Sequence, residues 1–299
     1  MTYEDYIRGD EVILGVAPTG YRYGTETNEA LPTTPDEVAK QVYESSSLGA
    51  TLVHVHGRDD DGEPDPTRLP AFGGAIRDVC DDDVLLDYAA DPSCPLGDFL
   101  DVLDREPRPA FATVRLSPTQ YSYRETSSIS RRDVDRFVGE LQSRGIRPNL
   151  LVTSDSDVHE LHRLRSAGVL SGTPLVTVKF GAPDGALGSP LHVRSVLEAV
   201  PDTAACVVRA TGPNQYPLLA VAFFLGAHLT TGMEDNLFLG PETPVERNAQ
   251  LVRQVAELVR SSIRPIADTA TAGDLLAVDR ASPDQSGGEV EDPEDARPE

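Results

Sequence analysis

Two histidines stand two residues apart in the apolar run ATLVHVH (50–56), which breaks at once into GRDDDGEPD. On an extended strand, residues i and i+2 project to one face. His54 and His56 therefore share a face with Leu52, while Val53 and Val55 point the other way. Two imidazoles so placed can ligate a single divalent metal. The plainer alternative is a pair of core histidines hydrogen-bonded by their neighbours. A catalytic metal needs a third ligand and an open coordination position. The segment TTGMEDN (230–236), far along the chain, offers Glu234, with Asp235 and Asn236 directly after it.

Whether these residues can meet depends on the elements that carry them. Apolar, β-branched runs recur at 11–17, 50–56, 83–89, 110–116, 148–154, 174–180, 204–210 and 227–233. Between them lie amphipathic stretches with helix signals. TPDEVAKQVYESSSLG (34–49) has a Thr cap, a Pro in the first turn, an acidic start and a closing Gly. SRRDVDRFVGELQSRG (130–145) and SDSDVHELHRLRSAG (154–168) repeat the pattern, and TPVERNAQLVRQVAELVRSS (243–262) is the last long helix. Eight β–α units in this order predict an α/β protein with a closed (β/α)8 TIM barrel; an open doubly wound sheet is the second choice. The barrel is expected to be one domain over residues 1–280, followed by an acidic disordered tail at 281–299. In a closed barrel the eighth strand lies two strands from the second. Glu234 could then join His54 and His56 at the C-terminal mouth, where such barrels place their chemistry.

The chain of 299 residues carries 29 Asp and 20 Glu against 24 Arg and two Lys, Lys40 and Lys179, for a net charge of −23. So acidic a surface disfavours nucleic acid and anionic membranes as partners. It suits a protein dissolved at high salt and reads as a halophile's enzyme; an ordinary acidic protein is the alternative. No membrane span or leader is evident, and three scattered cysteines fit a reducing cytoplasm. No serine elbow, Walker loop or Cys–His couple appears. His159, His162, His192 and His228 carry no functional expectation, since their surroundings fit solvated or structural roles.

In one order along the chain, ILGVAPTG, LPTTPDEVAKQ, GATLVHVHGRDDDGEP, KFGAPDG, GAHLTTGMEDN and ERNAQLV resemble the β-keto acid cleavage enzyme family, whose best-known member is the 3-keto-5-aminohexanoate cleavage enzyme. The likeness runs from about residue 12 to about residue 270. It implies a barrel with a zinc-type metal held by His54, His56 and Glu234, and Asp235 as the base. It also implies condensation of a β-keto acid with acetyl-CoA, then cleavage to acetoacetate and a new CoA thioester. A cytoplasmic homo-oligomer is the expected setting. Arg58 would hold the mouth of the second strand or a substrate carboxylate, with Thr19, Arg22 and Asn236 nearby on the substrate side.

Several positions depart from the family pattern. Thr230 stands where the family has an arginine paired with the base. PTGYRYG puts Tyr21 and Arg22 where the family has a small residue and an acidic one. DYAADP and VRLSPTQ replace the usual loops after the third and fourth strands. Arg22, Arg58, Arg115 and Arg209 all fall at or beyond C-terminal strand ends, so a cationic pocket is expected, with Arg115 or Arg209 replacing the lost arginine and a substrate lacking an amino group. The glycine-rich GAPDGALGSP (181–190) could cradle CoA phosphates, although a plain turn fits it as well. Two other readings stay open: a metal-assisted lyase or isomerase working without CoA, and a metal-retaining ligand-binding relative without turnover.

Overall fold

The computed structural model describes residues 11–117, 119–121, 126–182, 188–202, 204–240 and 242–278. The polar N-terminus, the acidic tail and the middle of the 181–190 loop lie outside the described residues.

Each apolar run forms a strand: β1 (Leu14–Val16), β2 (Ala50–Val55), β3 (Leu85–Tyr88), β4 (Phe111–Arg115), β5 (Arg147–Val152), β6 (Leu175–Phe180), β7 (Ala205–Ala210) and β8 (His228–Thr231). They pair in parallel, each with the next, and β1 bonds both β2 and β8 to close the barrel. The alternating helices are α1 (Pro35–Ser46), α2 (Leu69–Cys80), α3 (Leu96–Leu103), α4 (Arg131–Ser143), α5 (Asp155–Ser166), α6 (Pro190–Ala199), α7 (Gln215–Phe224), α8 (Asn248–Arg260) and α9 (Thr269–Leu275). The caps expected for α1 and α4 are made. Glu37 N–H donates to Thr34 Oγ1 while the Glu37 carboxylate accepts from Thr34 N–H, and Asp133 N–H donates to Ser130 Oγ.

Strand parity divides the barrel into two environments. Val53, Val55, Leu86, Val114, Leu150, Val176, Val178 and Val208 face outward into one continuous core with the helices. Inward, Ile13, Leu52, Phe111, Leu175 and Val207 form an apolar floor, sealed from below by Ala272 of α9 and by Leu276, which caps that helix. The next inward layer is polar: His54, Asp87, Thr113, Asn149 and Thr177, all buried. The polar layer lies above this apolar floor, toward the C-terminal mouth, the end where such barrels place their chemistry.

His228 works at the floor end. Its Nδ1 accepts the Ile13 N–H at 3.1 Å, and burial, with help from Arg264, pushes its pKa down to about 4. That is a structural duty, as its position at the start of β8 suggested. Among the described residues, no helix is long and apolar enough to cross a membrane.

Two features differ from the sequence reading. The last helix begins at Asn248, because Thr243–Pro244 pairs with Phe238–Gly240 in a small hairpin instead of starting the helix. A second hairpin, Thr119–Tyr121 with Thr126–Ser128, occupies the loop after β4.

Candidate metal centre

His54 and His56 extend from β2 into the barrel mouth, with ring centroids 5.1 Å apart. His54 Nδ1 lies 2.7 Å from Asp87 Oδ2, in register across the sheet on β3. A buried carboxylate only accepts, so Nδ1 carries the proton and Nε2 keeps its lone pair for the mouth. Asp87 is itself fixed by Thr113 Oγ1 at 3.0 Å and Asn149 Nδ2 at 2.7 Å, and Thr177 Oγ1 donates to Asn149 Oδ1 at 2.8 Å. The polar layer thus runs from β2 to β6 as one hydrogen-bonded chain whose end is the orientation of His54.

Glu234 arrives from just beyond β8. Its N–H donates to Ala17 O, and its side chain passes over Gly20, where φ is 111° and a Cβ would collide with Glu234 Cγ. Asn248 at the start of α8 fixes this turn, accepting from Met233 N–H and donating to Pro18 O. Glu234 Oε2 then lies 3.5 Å from His54 Nε2 and 3.7 Å from His56 Nε2. The three donor atoms lie within 4.8 Å of one another.

Neither His56 Nε2 nor Glu234 Oε2 makes a hydrogen bond among the described residues, and both are buried. Buried polar atoms are rarely left so. Donors about 2.0–2.1 Å from one tetrahedral zinc would stand roughly 3.3 Å apart, close to the 3.5 and 3.7 Å that separate Glu234 Oε2 from the two imidazoles. Protonation fits as well. Burial holds the His56 imidazole well below its ordinary 6.5, with the nearby His54, Arg115 and Arg209 acting in the same sense against Glu234. Burial alone would raise Glu234, but Arg209, His54, Lys179 and His56 together hold it well below the carboxylate range. Two imidazoles and one carboxylate suit a divalent cation, with room for a reactant.

The other oxygen of Glu234 faces cations. Arg209 Nη2 is 2.5 Å from Glu234 Oε1 and 2.7 Å from Asp235 Oδ2, and Arg209 Nε donates to Asp235 Oδ2 at 2.8 Å. Lys179 Nζ is 2.6 Å from Asp235 Oδ1 and 3.4 Å from Glu234 Oε1. Lys179 on β6 and Arg209 on β7 are register partners, both inward and buried. Thr230, where the family pattern has an arginine, packs its hydroxyl against the bare backbone of Gly15 and bonds nothing among the described residues. Between the two arginines proposed to replace the lost one, it is Arg209 that touches Asp235.

The remaining expected residues fall around this centre. Arg58 is buried and donates to Thr19 Oγ1 at 2.8 Å, Gly62 O at 2.5 Å and Tyr23 O at 2.6 Å, so it ties the loop after β1 to the loop after β2. Of its two proposed duties, holding the mouth is the one these contacts describe, and Thr19 is its partner. Arg22 lines a cavity of about 820 Å³ with Tyr21, Arg58, Asp60, Asp61 and Asp91, and none of His54, His56 and Glu234 lines it. Asn236 is spent on Phe238, donating to its carbonyl at 2.7 Å and accepting its N–H at 3.1 Å. Arg115 leaves β4 inward with its guanidinium 5.2 Å from the centroid of Tyr21, whose ring is in turn 5.1 Å from that of His56.

The profile of the β-keto acid cleavage enzymes matches residues 11–278. The chain belongs to this family. Among curated relatives, the 3-keto-5-aminohexanoate cleavage enzyme of Acetoanaerobium sticklandii is 24% identical over 279 residues, 91% of this chain and 100% of that one. The 3-oxoadipate:acetyl-CoA acetyltransferase of Cupriavidus necator is 27% identical over 275 residues, 89% and 94% of the two chains. At these identities the chain is a divergent member of the β-keto acid cleavage enzymes. Among solved structures, apo ObcA shares the fold with a TM-score of 0.67 at 16% identity, over 83% of this chain and 66% of its own length.

Asp87 and Lys179 went unassigned in the sequence reading, although each interrupts an apolar strand at an inward position. Asp87 gives a direct test. Asp87→Asn should leave the fold intact while divalent-metal affinity falls about 10- to 100-fold, measured by competition with a chromophoric chelator. Unchanged affinity would remove Asp87 from the centre.

Proposed function

We propose that this chain exchanges the acyl group of a β-keto acid with acetyl-CoA, releasing acetoacetate and a new CoA thioester. His54, His56 and Glu234 would hold a divalent cation, Zn²⁺ by the character of the donors, and Asp235 would act as base. A cation so held would supply Lewis-acid stabilisation of the negative charge that builds on a carbonyl oxygen as the neighbouring C–C bond forms or breaks. The observation carrying this reading is the pair of bare, buried ligand atoms, His56 Nε2 and Glu234 Oε2, directly beside Asp235.

The chain's own residues divide the rest of the work. Asp235 is 1% exposed, and among the described residues its Oδ1 meets only the Lys179 ammonium, at 2.6 Å. That oxygen is available to take the proton from the carbon between the keto and carboxylate groups. Arg209 clamps Asp235 Oδ2 and so fixes where Oδ1 points. Glu234 and Asp235 carry two negative charges against Lys179 and Arg209, so the cluster is neutral without a cation and positive with one. A positive pocket favours an anionic keto acid. The overall exchange balances: R–CO–CH₂–COO⁻ and CH₃–CO–SCoA give CH₃–CO–CH₂–COO⁻ and R–CO–SCoA.

The three cysteines are free, which supports the cytoplasmic setting expected from the sequence. Family membership supports self-association. The test is incubation of the metal-replete protein with acetyl-CoA and a panel of β-keto acids. Acetoacetate and a new thioester should form in equal amounts. Keto-acid turnover without CoA would instead establish the lyase or isomerase reading. Tight binding with no turnover across the panel would establish the ligand-binding one.

A further inference from the structure

We infer that Arg115 reads a second carboxylate on the substrate, which makes the preferred β-keto acid a short dicarboxylic one. This rests on the keto-acid reading of the centre and names the substrate class it takes. Strand parity on β4 runs from Phe111 in the floor through Thr113 in the polar layer to Arg115 at the mouth. The guanidinium lies over the Tyr21 ring, a cation–π contact that restricts it, and the other neighbour of that ring is His56. Arg115 is therefore one aromatic ring away from the metal ligands.

Its hydrogen bonding separates it from the other arginines of the mouth. Arg58 has all three nitrogens engaged, and Arg209 is held by two carboxylates. Arg115 makes one long bond, Nη2 to Ala90 O at 3.4 Å, and pairs with no carboxylate among the described residues. In a chain with 49 acidic residues against 26 basic ones, an arginine without an acidic partner in a half-buried position stands out. The Ala90 bond uses one of the two Nη2 hydrogens, so one planar edge of the guanidinium, Nε with Nη2 or Nη1 with Nη2, remains for a bidentate acceptor, which a carboxylate supplies.

Two other anions compete for this role. The CoA phosphates are separated from the thioester by the whole pantetheine arm, too far for a group one ring from His56. The carboxylate common to every β-keto acid is the second, and the experiment discriminates against it.

Values of kcat/KM are compared for a dicarboxylic β-keto acid and its equally long neutral-tailed analogue in wild type, Arg115→Leu and Arg115→Lys. Wild type should prefer the dicarboxylic substrate by roughly 10- to 100-fold, the scale of a charge-assisted bidentate pair. Arg115→Leu should collapse the preference toward one, mainly through KM, and Arg115→Lys should restore part of it. An equal loss on both substrates would mean that Arg115 reads the common carboxylate, and would overturn the inference. Calorimetry with glutarate and pentanoate keeps this separate from the chemistry. Arg115-dependent preference for glutarate in a protein that turns over no keto acid would support the subsite while the proposed reaction fails. A wild type binding both acids alike would overturn the subsite even if the exchange reaction stands.

Discussion

Replacing His56 with alanine is expected to strip the bound divalent cation and to lower kcat/KM by at least about 10³-fold. Losing Lewis-acid stabilisation forfeits several kcal/mol of transition-state binding, and each ~1.4 kcal/mol is tenfold in rate. The variant should fold, because His56 Nε2 makes no hydrogen bond among the described residues. The same centre sets an acid limit. His56 and Glu234 are both held below their ordinary values, so the unfolded chain binds protons there that the folded one does not. Their contributions are fully present above the ordinary histidine value of 6.5, and are lost as pH falls through the folded-state values. Cation retention should decline over the same acid range, since protons compete for Nε2. Metal content and kcat/KM of His56→Ala, with melting followed from pH 8 to 4 in wild type, check both statements. Undiminished turnover by the variant would remove the metal from the mechanism.

Arg209→Leu is the second large effect. Arg209 is 2% exposed and bridges two buried carboxylates; when it is removed, Lys179 is the one Lys or Arg still in contact with them among the described residues. Breaking a buried pair from one side costs about 3–5 kcal/mol, because the other charge stays buried without compensation. A clear fall in melting temperature should accompany a loss of kcat of roughly 100-fold or more as Asp235 loses its clamp. Bound metal should raise the melting temperature of the variant more than that of wild type, because the cation supplies positive charge beside Glu234. A variant as stable and active as wild type would show that Arg209 does not compensate for Thr230.

The parts of this architecture that follow local rules were legible in the chain. The eight strands come from β-branched runs, and the shared face of His54 and His56 comes from a period of two. The reach of Glu234 followed from closure, since only β1 separates β8 from β2. What escaped depends on tertiary register. Asp87 and Lys179 obey the same parity as the histidines, but their partners sit on other strands. Arg58 could equally hold the mouth of β2 or a substrate carboxylate from its place in the sequence, and its donors are filled by carbonyls and a hydroxyl from loops that only folding brings near. The floor helix α9, TATAGDL, is six small or polar residues and one terminal leucine, with no helical stripe to mark it, and it matters because it plugs a barrel. Thr243–Pro244 looks like a helix start, but the pairing with Phe238–Gly240 takes precedence.

Anomalous diffraction from crystals of the wild-type protein, purified without added metal, addresses the central claim most directly. One peak at the edge of a divalent transition metal is predicted, bounded by His54 Nε2, His56 Nε2 and Glu234 Oε2, with Asp235 adjacent but not ligating. Absence of any peak among those three atoms, or a cation bound elsewhere while they remain bare, would contradict the account.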